Sequence, residues 1–133
     1  IIDSGTAFTI DVLDAQGLHL GGYIIPGLKL MRSSLESNTA IRLSGNHCVY
    51  SQSLGHSTDE AVFNGTVTAL LATIKQQRKS LGRAGTVEIY FAGGDAGLLH
   101  GLAGLDRSEI VTSLVLDGLD VACPNPDSAR GRV

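Results

Sequence analysis

The stretch Ile1-Ile2-Asp3-Ser4-Gly5-Thr6-Ala7-Phe8-Thr9-Ile10-Asp11 decides how the chain is read. Two apolar residues run into Asp-x-Gly-Thr, and alternation then resumes with Phe8, Ile10 and Val12 set against Thr9, Asp11 and Leu13. A strand end, a glycine turn and a second strand make a β-hairpin. The turn holds a carboxylate, a residue without Cβ and a hydroxyl side by side. Gly5 lets backbone N–H groups approach an anion closely, Thr6 can donate to a phosphate oxygen, and Asp3 can hold a cation or a water beside it. The same tetrapeptide also suits an ordinary polar turn, so the choice falls to the segments around it.

Those segments continue the pattern. Asp14-Ala15-Gln16-Gly17 is a turn sequence, and residues 19 to 25 form a third strand closed by Pro26-Gly27. Leu28, Met31 and Leu35 then recur at helical spacing among Lys29, Arg32 and Glu36. No periodicity holds over residues 40 to 56, which read as a loop. Ser57-Thr58-Asp59-Glu60 is a capping box, with the Ser57 hydroxyl bonding the Glu60 N–H and Glu60 reaching back. Ala61, Val62, Val67, Leu70, Leu71 and Ile74 carry the apolar face of a helix to about Leu81. Lys75, Arg78 and Lys79 suit its negative dipole end, and Gly82 and Gly85 terminate it. The N-terminus of this helix presents free N–H groups that can receive a carboxylate or a hydroxyl-rich substrate. Gly65 in mid-helix lowers stability relative to alanine, so a close helix contact is expected there.

Residues 86 to 92 have strong β-propensity and run into Gly93-Gly94-Asp95-Ala96, after which Leu98, Leu99 and Leu102 share a helical face. Strand, Gly-Gly, helix suits either a ligand resting on backbone or a compact turn. A short strand near Ile110-Val111 and an apolar helix from Leu114 to Ala122 follow, stopped by Pro124 and Pro126, and residues 127 to 133 read as a disordered tail. The element order is β-β-β-α-α-β-α-β-α, an α/β fold.

Composition narrows the function classes. At 133 residues, 43% of them apolar and 17% charged, the chain has one globular domain's worth of core-forming material. Its 17 glycines are roughly twice the usual share, as expected where backbone approaches a ligand closely. A net charge of −3 without a basic run disfavours a nucleic-acid partner. No stretch has the length of a membrane span, and the first residues lack the basic region of a signal peptide. Cys48 and Cys123 have no close-spaced partners and read as free thiols in a reducing cytoplasm. His56 beside Ser57 lacks the third partner that nucleophile activation needs, so a catalytic serine is not expected.

Four segments occur in a telling order: Asp3-x-Gly5-Thr6-Ala7-x-Thr9-x-Asp11, Gly21-Gly22-x-Ile24-x-Pro26-Gly27-x-x-Leu30, Gly55-x-Ser57-Thr58-x-x-Ala61-x-x-x-Gly65 and Gly93-Gly94-Asp95-Ala96. Together they resemble the type III pantothenate kinases, also grouped as the Bvg accessory factor family. The resemblance implies one actin-like half of the acetate kinase, heat-shock cognate protein and actin superfamily, ribonuclease H-like in topology. Residues 1 to 126 would form the C-terminal domain of a two-half kinase. The family's Asp-x-Gly-Asn-Thr phosphate loop and Gly-x-Asp-Arg catalytic motif do not occur where they should. Gly104-Leu105-Asp106-Arg107 fits the latter as a string, but it follows Gly93-Gly94-Asp95 and is in the wrong order for the family.

The activity implied is ATP-dependent phosphorylation of pantothenate to 4′-phosphopantothenate, the first step of coenzyme A biosynthesis. In that scheme Gly5, Thr6, Gly93 and Gly94 would contact ATP, supplied with Mg²⁺. Thr58 would contact pantothenate, and Asp3 would hold a monovalent cation, potassium or ammonium. The catalytic base would lie outside this chain, which alone is expected to be inactive, and Asp11 has no firm role. A cytoplasmic homodimer is implied, without nucleic-acid or membrane partners. Two alternatives stand: a transcription-accessory protein of the Bvg accessory factor type, and another superfamily phosphotransferase acting on a sugar or polyphosphate. The Gly55-x-Ser57-Thr58 block argues against the second, and the acidic balance against direct DNA binding by the first.

Overall fold

A computed structural model describes residues 1–45, 48–82 and 86–123. The order of its elements is the expected one: β1 (Ile2–Ser4), β2 (Ala7–Leu13), β3 (His19–Pro26), α1 (Leu28–Asn38), α2 (Thr58–Ser80), β4 (Ile89–Ala92), α3 (Ala96–Ala103), β5 (Ser108–Ile110) and α4 (Leu114–Ala122). The expected tail and the helix-ending Gly85, Pro124 and Pro126 lie outside the described residues.

The strands form one sheet in the order β3-β2-β1-β4-β5. β1 is the junction: it pairs antiparallel with β2 (Ser4 opposite Phe8, Ile2 opposite Ile10) and parallel with β4 (Asp3 beside Ala92). β5 continues the parallel half and β3 the antiparallel half. Because side chains alternate along a strand, Ile2, Phe8, Ile10, Ile89 and Phe91 fall on one face. They form a single core with Leu28 of α1, with Val67, Leu70, Leu71 and Ile74 of α2, and with Ala96, Leu99 and Ala103 of α3. Asp3 and Thr9 pair on the opposite face, in line with Ile24, whose side chain is 81% exposed. α4 buries none of its described residues.

Several local features follow from single residues. Ser57 Oγ accepts the Glu60 N–H at 3.2 Å, as a capping box requires. Glu60 reaches one residue further back than expected, its Oε2 accepting from the His56 N–H at 2.8 Å. Gly65 is exposed, and a Cβ there would meet nothing within 4 Å. The expected close helix contact is therefore absent among the described residues, because Val62, Thr66 and Val67 take the inward face of α2. Gly104 at φ 58° ends α3, its N–H donating to the His100 carbonyl, while Arg107 pairs with Glu88. The Gly-x-Asp-Arg string thus closes a helix and leads into β5.

Candidate functional site

β1, β3 and β4 all end at the same edge of the sheet, and each leads into a glycine turn. The Gly5-Thr6 turn follows β1, Gly27 follows β3 and opens α1, and Gly93-Gly94-Asp95 follows β4 and opens α3. Main-chain hydrogen bonds join the three. The Gly27 N–H donates to Thr6 O at 2.9 Å, and the Asp95 N–H donates to Ser4 O at 3.0 Å. In sheets with parallel strands, ligands characteristically bind outside the strands' C-terminal ends, where β1 and β4 finish side by side here.

The glycines at this edge are not equivalent. Gly93 has φ +88°, and a Cβ on it would stand 2.5 Å from Asp3 Oδ1 and 2.5 Å from Ser4 O. Both the backbone and the space require glycine there. A Cβ on Gly27 would overlap Gly5 O. Gly5 and Gly94 are different: a Cβ on Gly5 would make only ordinary contacts, 3.8 Å from Ala7 O and 3.9 Å from Asp3 Oδ1, and one on Gly94 would meet nothing. The Gly5 N–H donates to Ala7 O at 2.9 Å and is engaged within the turn. Thr6 is exposed beside it.

Four of the residues singled out from sequence therefore gather in one place: Asp3, Gly5 and Gly93 in mutual proximity, with Thr6 on the same turn. Gly94 is exposed next to Gly93. Among the described residues no group of three His, Cys, Asp or Glu side chains is arranged to hold a metal ion. Asp3 Oδ1 lies 3.9 Å from where a Cβ on Gly5 would stand and 2.5 Å from where one on Gly93 would, which puts its carboxylate at the Gly5-Gly93 crossing. Asp11 lies further along the open face, where its carboxylate accepts from Thr9 Oγ1 at 3.2 Å and meets His19 Nε2 at 3.0 Å.

Thr58 stands on a different element. It is the first residue of α2 and is exposed. About 24 Å of helix separates it from Ile74, which lies near Ile2 and Ile10 at the other end of the sheet. Gly55 fixes the approach to this turn, since a Cβ on it would overlap the Ala61 amide nitrogen. That contact accounts physically for a glycine two residues before the cap.

Arg32 links α1 to α2. Its Nε donates to Thr66 Oγ1 at 3.2 Å, and its guanidinium carbon stands 4.3 Å from the Phe63 ring centroid. Nη2 is buried without a hydrogen-bond partner. Burial pushes the guanidinium's pKa down from its ordinary value, while nearby Asp95 and Cys48 pull it back up. Sequence reading placed Arg32 on α1 and assigned it nothing. The available signal was its position four residues after Leu28, on the apolar stripe rather than the wet face.

An α/β sheet with this strand order, with three glycine turns tied together at one edge, is of the actin-like class. The comparisons with known proteins then supply the family. The family model for type III pantothenate kinase matches residues 1–80. A Pseudomonas putida type III pantothenate kinase is 42% identical over 132 residues, covering 93% of this chain and 51% of the relative. One from Pseudoalteromonas translucida is 41% identical over 100 residues, covering 75% and 42%. A solved structure from Campylobacter jejuni, named as a Baf family transcriptional activator, superposes with a TM-score of 0.69 at 26% identity, covering 90% of this chain and 54% of that one. The chain belongs to the type III pantothenate kinase family. It spans about half the length of the curated relatives it matches.

Proposed function

We propose that this chain contributes one half of an ATP-dependent kinase that phosphorylates pantothenate to 4′-phosphopantothenate, the entry to coenzyme A biosynthesis. The observation that carries the reading is the crowding of Asp3, Ser4 O and Gly93 at the edge where β1 and β4 end, next to the exposed Thr6 hydroxyl. Family membership turns that glycine-lined edge into a candidate phosphate-binding edge.

In this reading the substrate hydroxyl oxygen attacks the γ-phosphorus, the bond from that phosphorus to the β,γ-bridging oxygen breaks, and ADP leaves. Such a transfer is governed by positioning and charge neutralisation. Thr6 donates its hydroxyl to a phosphate oxygen, and Gly5 leaves room for the phosphates to come close. Gly93 and Gly94 let the nucleotide lie against backbone. Asp3 would hold a potassium or ammonium ion that offsets phosphate charge, and Mg²⁺ would be supplied with ATP. Thr58, at the positive end of α2, hydrogen-bonds pantothenate. The proton of the substrate hydroxyl goes to a base outside these 133 residues. The working enzyme is a homodimer in the cytoplasm.

The test is ADP release by the intact protein with ATP, Mg²⁺ and potassium. The expected result is release that depends on pantothenate and yields one phosphorylated product. Pantothenate-independent release, or none, would overturn the reading.

A further inference from the structure

β3 is the longest strand of the sheet and stands at its edge, with β2 on one side and no strand on the other among the described residues. Such an edge presents a row of unpaired N–H and C=O groups, and native folds blunt it with charges, with proline or by keeping the strand short. Residues 20 to 25, Leu-Gly-Gly-Tyr-Ile-Ile, carry no charge. Pro26 and the irregularity beside Leu13 interrupt the strand only at its two ends.

Ladder geometry fixes which backbone groups face outward. The Gly27 N–H donates to Thr6 O, so the alternation of an antiparallel pair turns the backbone of Ile25 toward β2 and that of Pro26 and Ile24 away from it. Pro26 has no N–H to leave unpaired there. Ile24 keeps both its N–H and its C=O on the outer side, and its exposed side chain stands on the sheet face away from the helices. Tyr23 alternates to the helix face, half-exposed, with its hydroxyl accepting from Gln77 Nε2 at 3.0 Å. One edge strand thus offers an anchored aromatic ring on one face and a bare β-branched side chain on the other.

Charge and closure select the occupant. A strand laid against residues 23 to 25 finds no charge to pair with its own, so an uncharged apolar strand fits best, and β3 of a second copy is one. The other edge of the sheet is a poorer match: β5 has three residues, one of them Glu109, and a β3-to-β5 contact is head-to-tail, a kind that propagates unless the rotation happens to close. β3 against β3 runs antiparallel about a two-fold axis through Ile24 and closes with two copies. There the two Ile24 residues exchange both main-chain bonds, and each Tyr23 faces Ile25 of the other copy, an aromatic–β-branched pair of the kind that stabilises sheets. A nucleotide held at the ends of β1 and β4 calls the other half of the kinase to the middle of the sheet, which leaves the outer side of β3 free.

We propose that two copies of the protein join through their β3 strands, so that two five-stranded sheets become one continuous sheet. The assignment rests on the reading above in taking the enzyme as a homodimer, and adds to it the surface through which the dimer forms. Antiparallel pairing sends the two glycine-lined edges to opposite ends of the joined sheet, so each copy builds that edge from its own residues.

The test is sedimentation of the intact protein over a range of concentrations, with its Ile24→Lys, Ile24→Thr and Ile110→Lys variants. The wild type should sediment as a dimer. Ile24→Lys sets two like charges face to face across the axis and removes two apolar side chains, so the dimer Kd should rise by about 100-fold or more. Ile24→Thr keeps the β-branched shape, so it remains measurable if the lysine variant does not fold, and should raise the Kd by about 10-fold. Ile110→Lys places the same charge at an exposed position of the opposite edge strand and should leave the Kd unchanged. An unaltered Kd in the Ile24 variants, or an equal loss from Ile110→Lys, would overturn the assignment and leave the kinase reading standing. A wild type that is monomeric at every concentration would overturn the assignment and the homodimer with it. Phosphoryl transfer stands or falls separately, on pantothenate-dependent ADP release by the wild type.

Discussion

Replacing Gly93 by alanine tests the geometry of the strand edge most directly. At φ +88° an L-residue is strained, which costs about 1–2 kcal/mol. The new methyl would also stand 2.5 Å from Asp3 Oδ1 and 2.5 Å from Ser4 O, of which only the carboxylate can swing aside. Overpacking of that kind costs about 1–3 kcal/mol. Together Gly93→Ala should destabilise the protein by about 2–5 kcal/mol and displace Asp3. Gly94→Ala is the matched control: its Cβ meets nothing within 4 Å and its φ is not positive, so a change within about 0.5 kcal/mol is expected. Urea unfolding of the intact protein and both variants gives the two differences, and potassium titration of kinase activity reports whether Asp3 has moved. A Gly93→Ala protein within 1 kcal/mol of wild type, with unchanged potassium activation, would refute both the crowding and the cation role inferred from it.

Asp3→Asn should keep the turn but lose most of the potassium activation, measured as rate against potassium concentration, because the cation loses its charged ligand. Ser57→Ala removes the bond to the Glu60 N–H and should cost about 0.5–2 kcal/mol in thermal or urea unfolding. Thr58→Ala should leave stability unchanged and raise the pantothenate KM by about 5- to 150-fold with the ATP KM little affected, read from steady-state kinetics with each substrate varied. Gly65→Ala should stabilise by about 0.5–1 kcal/mol in urea unfolding, since the site is exposed and helical and nothing stands within 4 Å of the new methyl. Ser4→Ala removes a fully buried hydroxyl that has no partner, so the melting temperature should hold or rise.

The chain shows its framework openly because the framework rests on short-range rules. The hairpin follows from alternation around Gly5, the start of α2 from Ser57 and Glu60, and the β4–α3 turn from paired glycines, each a signal within a few residues. What stayed hidden depends on partners far away in sequence. Arg32 meets Thr66, 34 residues on, and no local pattern announces that pairing. Gly65 shows the ambiguity of a glycine in a helix: close packing and open solvent both tolerate it, and only the third dimension distinguishes them. Gly5 shows a finer limit, because spacing announces a turn but does not tell which amide the turn itself consumes. Asp3 and Gly93 could each be picked out alone, whereas their contact follows from the parallel pairing of β1 with β4.

The bonds between Gly27 and Thr6 and between Asp95 and Ser4 are made entirely by main chain. Substitution at Thr6, Ser4 or Asp95 does not remove them, so the edge can keep its shape while the side chains around it diverge. Side chains on α1 and the first turns of α2 can therefore change over evolutionary time while the glycine-lined edge is carried along as an inherited frame. The positions that resist such drift are those where any side chain collides with backbone, among them Gly22, Gly27, Gly55 and Gly93.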